Sequence, residues 1–108
     1  MIHIMFDFIG EKVLVEVNGD KVYFSHQEYG NVKSEIDGLT LNKDGVIKEF
    51  PDLKNNDDWR KIAIQRFKDK IKQFKNEDMR SEYIINDLKK YGYKPLFLQK
   101  QGFRPIRL

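Results

Sequence analysis

Apolar and polar residues alternate along three segments near the start of the chain, at residues 2–8, 13–17 and 21–26. In the first segment every second residue is apolar, from Ile2 to Phe8. A period of two residues places these side chains on one face of an extended strand. The pattern therefore predicts three β-strands, each with one buried face.

Two short turn sequences connect these segments, Ile9-Gly10-Glu11 and Asn18-Gly19. The Asn-Gly pair is a strong hairpin signal, because a type I′ turn requires positive φ at both of its central residues. Short turns of this kind join antiparallel neighbours. Residues 1–26 are therefore predicted to form a three-stranded antiparallel meander.

A less regular stretch of β-type sequence follows, between residues 32 and 50. Residues 32–36 are predicted to form a short edge strand. Residues 39–41 and 46–50 flank the link Asn42-Lys43-Asp44-Gly45, which suits a type I turn that closes on a left-handed glycine. We therefore expect a second hairpin here, with Pro51 at its exit from the sheet.

The longest periodic segment is residues 57–76, where apolar residues recur at the spacing of a helix face. This apolar stripe consists of Trp59, Ala63, Phe67, Ile71 and Phe74. The opposite side carries four lysines, Lys61, Lys68, Lys72 and Lys75. The pattern predicts one amphipathic helix, whose lysine side is either a solvated face or a ridge that binds phosphates.

A second helix is predicted from about residue 76, with Asn76 or a neighbour as its N-cap and Gly92 as its left-handed end. Its apolar side consists of Met79, Tyr83, Ile84, Leu88 and Tyr91. The link between the two helices is short, which favours an antiparallel helix pair.

The C-terminal tail is the most irregular part of the sequence. Pro95 blocks continuation of the second helix, and residues 96–98 are apolar enough to form a strand that rejoins the sheet. Residues 103–108 are interpreted as either an edge strand or an arm that becomes ordered on a partner.

Strands come first as a block and helices second, which predicts an α+β fold rather than alternating βαβ units. We expect an antiparallel sheet of about five strands, built from an N-terminal meander and hairpins. Two C-terminal helices pack on it, and a short C-terminal strand or arm follows. Residues 1–108 are interpreted as a single domain, with a β-rich acidic part at 1–54 and a helical basic part at 55–108.

The net charge of +3 conceals a strong asymmetry between the two halves of the chain. Residues 1–59 have a net charge of −6, whereas residues 60–108 have a net charge of +9. Such asymmetry indicates a charged partner, unless the two halves pair with each other inside the fold. The chain has no cysteine, which suits a reducing, cytoplasmic location, and no apolar run long enough to predict a membrane span.

Nucleic acid is the first partner that this charge pattern suggests. Lysines and arginines neutralise phosphates, and exposed aromatic rings stack on bases. The predicted phosphate contacts are Lys61, Lys68, Lys72, Lys75, Lys89, Lys90, Lys94, Arg104 and Arg107. Tyr93 and Phe103 lie beside glycines and are the candidate stacking residues, whereas Tyr91 and Phe97 are expected in the core.

A protein partner is the alternative. The acidic half carries its own one-sided set of charges, namely Glu28, Glu35, Asp37, Asp44, Glu49 and Asp52. A small bipolar domain of this kind can associate into a homodimer, or can act as an inhibitor that covers the basic groove of another protein. Such a protein-interaction module, of viral or plasmid origin for example, needs no active site.

Catalysis is the least favoured class. Ser25 and His26 are adjacent on a predicted strand, so their side chains point to opposite faces and make a poor nucleophile–base pair. Asp57 and Asp58 are explained as residues of a helix start. No sequence motif for a metal site or a phosphate-binding glycine loop is present. We therefore expect a non-enzymatic protein without a cofactor or a metal.

Overall fold

The strands form one antiparallel sheet in a computed structural model, which describes residues 1–26, 33–35 and 43–108. Its strands are β1 (Ile2–Phe8), β2 (Glu11–Asn18), β3 (Lys21–His26), β4 (Lys33–Glu35), β5 (Lys94–Lys100) and β6 (Ile106–Arg107). Their order across the sheet is β4-β3-β2-β1-β5-β6. The predicted N-terminal meander and the short edge strand at β4 are thus confirmed, and the C-terminal segment pairs with β1 near the middle of the sheet.

The inner face of the sheet carries the predicted apolar alternation. Ile4 pairs with Val15 and Phe6 pairs with Val13, so that these side chains share one face. The inner-face residues Ile2, Ile4, Phe6, Val13, Val15, Val17, Val22 and Phe24 are all at most 3% exposed. Each such side chain contributes about 1.5–3 kcal/mol by burial, so this face supplies much of the driving force for folding.

Helices cover this inner face, and the predicted α+β fold is therefore confirmed. The helices are α1 (Lys43–Glu49), α2 (Trp59–Lys72) and α3 (Glu77–Lys90), with a 3₁₀ turn at Pro51–Leu53. The buried residues of α2 are Ala63, Phe67 and Ile71, three of the five in the predicted stripe; Trp59 is half-buried and Phe74 lies beyond the helix. The helix ends at Lys72, four residues before the predicted end, and Gln73 is its C-cap.

The second predicted helix also forms, with the expected ends. The Asn76 side chain accepts a hydrogen bond from the Met79 backbone N–H at 2.9 Å, and Gly92 has φ of 91°. Tyr83 contacts the rings of Phe67 and Phe74, with centroid distances of 5.8 and 5.1 Å. Tyr83 of α3 thus contacts Phe67 of α2 and Phe74 just beyond its end, while the antiparallel direction of the two helices stays a prediction.

One arginine of the basic half fixes the end of α2. Arg80 donates hydrogen bonds to the carbonyl oxygens of Phe74 at 2.8 Å and Gly19 at 2.8 Å, and a longer one to that of Ile71 at 3.4 Å. The carbonyls at a helix C-terminus lack partners within the helix, and a cation is favoured there. Arg80 thereby connects α2, the start of α3 and the β2–β3 hairpin.

The predicted second hairpin is wrong where the structure describes it. Residues 43–49 form α1, in which Val46 is fully buried and its carbonyl accepts a hydrogen bond from the Phe50 N–H at 2.9 Å. Residues 39–42 lie outside the described part of the chain. Gly45 does not have positive φ; a Cβ there would overlap the ring of Tyr91. The glycine allows a close approach to Tyr91, and the sequence suggested a turn because turns also favour glycine.

The two predicted turns in the meander are present, but the type of the second one differs from expectation. Asn18 pairs with Lys21, so the central residues of this turn are Gly19 and Asp20. Only Gly19 has positive φ, which fits a type II′ turn rather than the predicted type I′ turn at Asn18-Gly19. The type I′ pattern occurs instead at Ile9 and Gly10, with φ of 53° and 79°.

The left-handed conformation of Ile9 is unfavourable, because a β-branched side chain at positive φ crowds the backbone. Ile9 is also 88% exposed, so its side chain gains little from burial. We expect Ile9→Asn to raise the free energy of unfolding by about 1 kcal/mol, since asparagine tolerates this conformation. Urea unfolding measures the change, and Ile9→Val, which keeps the branched side chain, is the control. A less stable Ile9→Asn variant would contradict this account of the turn.

The C-terminal tail forms the second edge of the sheet. Phe97 pairs with Met5 on one side and with Arg107 on the other, so all three project from the outer face, opposite the helices. Leu98 pairs with Ile4 and points inward. Of the two alternatives for the tail, an edge strand or an arm, the structure has the edge strand.

Candidate functional site

The most basic element of the described structure is α2, which carries six lysines and arginines and one aspartate. Its buried stripe faces the core, so the charged side chains point toward solvent. We define the α2 ridge as Lys61, Lys68, Lys72 and Lys75. Lys61, Lys72 and Lys75 are exposed and form no ion pair with described residues, whereas Lys68 is half-buried. Lys75 follows the end of the helix, in the link to α3.

Arg66 lies on the same helix but is already paired. Its Nη1 and Nη2 donate to the two carboxylate oxygens of Asp52 at 3.1 and 2.7 Å, and its guanidinium lies over the Phe50 ring at 5.1 Å. The hydrogen bond from Arg66 lowers the pKa of Asp52. This ion pair joins the acidic half of the chain to the basic half. Such pairs are expected if the two oppositely charged halves pair with each other inside the fold.

A second group of predicted contacts lies where α3 ends and β5 begins. Lys89 and Lys90 are exposed in the last turn of α3, where cations are favoured by the helix dipole. Lys94 is exposed and pairs across the sheet with Asp7. The pKa of Asp7 is lowered mainly by the hydrogen bond from Lys12, with Lys94 a smaller cause.

The two predicted tail arginines, Arg104 and Arg107, are exposed. Arg107 projects from the outer face of the sheet, and Lys94 does the same because it pairs with outward-facing Asp7. The helices cover the inner face. The nine predicted cations are therefore divided between the two sides of the sheet. Three of them, Lys61, Lys68 and Lys72, lie together on α2.

The two candidate stacking residues differ in their accessibility. Tyr93 is 2% exposed; its ring stacks on Phe8 at 4.2 Å and makes edge contacts with Phe6 and Phe24. The prediction that Tyr93 stacks on a base is therefore wrong, because the ring is part of the core. Phe103 is 69% exposed, which leaves its ring accessible.

The two aromatics predicted to be in the core also differ. Tyr91 is 5% exposed and belongs to the core, as expected. Phe97 is only half-buried, because it projects from the outer face of the sheet, where no described helix covers it. Its ring is therefore less enclosed than the sequence suggested.

A cavity that the sequence did not indicate lies between the three helices. We name this space of about 160 Å³ the helix cavity. Its aromatic walls are Phe50, Phe67, Tyr83 and Tyr91, and its charged residues are Glu49, Arg66, Lys70 and Asp87. Asp87 belongs to the buried side of α3 together with Ile84 and Leu88. An acid on the apolar side of a predicted helix is the feature from which the sequence could have indicated this site.

Asp87 is an unusual buried acid. It is 5% exposed, and its Oδ2 has no hydrogen-bond partner among the described residues. Burial raises the pKa of Asp87 to about 6; Lys90 opposes the increase and Glu49 adds to it. Burial also raises the pKa of Tyr83 to about 12. Perturbed groups that line a cavity are candidates for a functional site.

Comparisons with family models, with curated protein sequences and with solved structures give no match to this chain. None of the helices in the described ranges is long and apolar enough to cross a membrane. Within the same ranges, no group of three or more histidine, aspartate and glutamate side chains is arranged to hold a metal ion.

Proposed function

We propose that this chain is a non-enzymatic protein that binds the sugar–phosphate backbone of a nucleic acid through the α2 ridge. The observation that supports this most strongly is that Lys61 and Lys72 are exposed and form no ion pair with described residues, on a helix whose other side is anchored in the core. Lysine is a flexible point charge, which suits phosphates better than the edges of bases. Binding of this kind is expected to be independent of base sequence.

The length of the ridge fits several phosphates. Lys61 and Lys72 are eleven residues apart on one helix, a distance of about 16 Å at 1.5 Å per residue. Successive phosphates of one strand are separated by about 3.4 Å along the axis of a duplex, so the ridge spans about five of them. The remaining predicted cations can contact only a nucleic acid that extends beyond this helix. Phe103 is then the accessible ring for stacking on a base.

The test is fluorescence anisotropy with duplex and single-stranded oligonucleotides across a range of salt concentrations. Contact with four phosphates of a duplex gives a slope of log K against log salt of about −3.6. We expect Lys61→Glu combined with Lys72→Glu to weaken binding by at least about tenfold and to reduce this slope by about 1.8, because two contacts are lost.

The matched control reverses two exposed lysines outside the ridge, Lys48→Glu and Lys54→Glu. Both double variants change the net charge equally, so only a contribution from the ridge separates them. Equal losses would show that affinity follows net charge alone. Unchanged affinity in the ridge variant, with an unchanged circular dichroism spectrum, would remove α2 from the site.

A protein partner is a second candidate, which a different surface favours. Ile106 and Leu108 are 54% and 51% exposed and line a groove between α3 and the β5–β6 edge, with Ile85 and Leu98 at its base. Asp78, Glu82 and Lys100 also line this groove. An apolar patch with a polar rim is typical of a surface that another protein covers.

This candidate predicts a different sensitivity to mutation. We expect Ile106→Lys to release a protein that the wild type captures in a pull-down, or to dissociate a homodimer observed by sedimentation. The reason is that a charge placed at the centre of an apolar contact is desolvated without a partner. The Lys61→Glu, Lys72→Glu variant serves as the control and should retain the partner. Retention of the partner by Ile106→Lys would exclude the groove.

A further inference from the structure

The helix cavity combines aromatic walls with a buried acid. Four aromatic residues line it, and the faces of such rings carry partial negative charge. Asp87 adds a carboxylate that is at least nine-tenths buried, with Oδ2 unpaired among the described residues. A buried charge is normally paired or hydrogen-bonded, because its desolvation is costly.

The missing partner of Asp87 Oδ2 is a hydrogen-bond donor, because the oxygens of an ionised carboxylate only accept. The groups around Asp87 are Glu49 from α1, Arg66 and Lys70 from α2, Tyr83 and Lys90 from α3, and Tyr91 directly after α3. Arg66 is held by both carboxylate oxygens of Asp52, so its charge is already neutralised. Lys70 forms no ion pair with a described residue, and Lys90 acts on Asp87 only through its charge, so neither supplies the missing hydrogen bond.

We propose that the helix cavity binds a small organic cation, an ammonium group on a short alkyl chain, between the carboxylates of Asp87 and Glu49 and the aromatic walls. Carboxylates and ring faces together are the groups that recognise organic ammonium ions in proteins. The volume of about 160 Å³ limits the ligand to a short chain. This site is separate from the α2 ridge, and its existence does not depend on nucleic-acid binding.

The protonation of Asp87 makes this binding dependent on pH. With its pKa raised to about 6, Asp87 is mostly neutral at pH 5 and mostly ionised at pH 7.5. A cation binds the ionised form, so binding at pH 5 must release a proton. The affinity is then expected to be about tenfold lower at pH 5 than at pH 7.5, in proportion to the ionised fraction.

The experiment is a calorimetric titration with n-butylammonium, and with 1-butanol as a neutral molecule of similar shape. We expect n-butylammonium to bind at pH 7.5 and 1-butanol not to bind measurably. At pH 5 the heat should change with the ionisation enthalpy of the buffer, since a proton is released on binding. Equal binding of both molecules would reduce the site to an apolar cavity, and absence of n-butylammonium binding would overturn the proposal.

A variant locates the binding site. Asp87→Asn keeps the shape of the side chain and should weaken n-butylammonium binding at least tenfold, with no proton release at pH 5. Asp57→Asn, at an exposed acid before α2, removes an equal charge outside the cavity and should leave the affinity unchanged. Retained binding in Asp87→Asn would assign the cation to another place on the surface.

Discussion

Replacing Tyr93 by alanine is expected to lower the free energy of unfolding by about 3–5 kcal/mol, the usual cost of removing a large ring from a core. Tyr93 is 2% exposed and contacts three other rings, those of Phe8, Phe6 and Phe24. These rings come from β1 and β3, so the tyrosine connects the turn after α3 to the sheet. Urea unfolding measures the loss, which is a large part of the stability of an ordinary small domain.

Two control variants separate the loss of a buried ring from the loss of the hydroxyl group and from the loss of an exposed ring. Tyr93→Phe keeps the ring and should retain most of the stability, while Phe103→Ala removes an exposed ring and should change it by less than about 0.5 kcal/mol. If Tyr93→Ala were as mild as Phe103→Ala, the ring would not be part of the core. The assignment of Tyr93 to the core, in place of base stacking, would then be wrong.

The parts of this fold that the sequence predicts are those in which local pattern and burial agree. The alternation in β1 and β2 corresponds to the inner face of the sheet, and the stripe of Ala63, Phe67 and Ile71 is the buried side of α2. Asn76 and Gly92 act at the ends of α3 through local backbone geometry. Each of these features depends on residues within a few positions of one another, so sequence alone suffices.

The features that sequence reasoning missed depend on contacts between distant residues. Tyr93 lies between Gly92 and Lys94, a local context typical of a loop, yet Phe8 and Phe24 enclose it. Gly45 resembles a turn residue in the sequence. The need for glycine there becomes apparent only from the fold, because the ring of Tyr91 packs against α1 at this position. Nothing in the sequence near Tyr93 or Gly45 indicates which distant residues these positions contact.

The candidate sites show the same division. Sequence periodicity placed Lys61, Lys68 and Lys72 opposite the buried stripe of α2; Lys61 and Lys72 are exposed there, whereas Lys68 is half-buried. It did not show that Lys94 and Arg107 project from the opposite side of the sheet, because strand order and register decide this. The helix cavity requires α1, which the sequence assigned to a hairpin, so the neighbours of Asp87 were not predictable.

Asp87→Asn is expected to stabilise the protein at pH 7.5 by about 1–3 kcal/mol, because an uncharged amide avoids the desolvation of a buried carboxylate. The folded-state pKa of Asp87 is about 6, compared with an ordinary value of 3.8. The folded protein therefore holds this proton more tightly than the unfolded chain. Its stabilising effect is fully present below about pH 4 and is lost as the pH rises from 4 to 6.

The stability difference between Asp87→Asn and the wild type should consequently be small at pH 4, increase to about pH 6 and remain constant above it. Urea unfolding at pH 4, 5, 6 and 7.5 gives this curve, and subtracting the wild type cancels the titration of all other groups. A bound alkylammonium ion should reduce the gain at pH 7.5, because it stabilises only the wild-type carboxylate. A gain that is independent of pH would show that Asp87 does not titrate between 4 and 6, and that its carboxylate is stabilised by a contact other than those described.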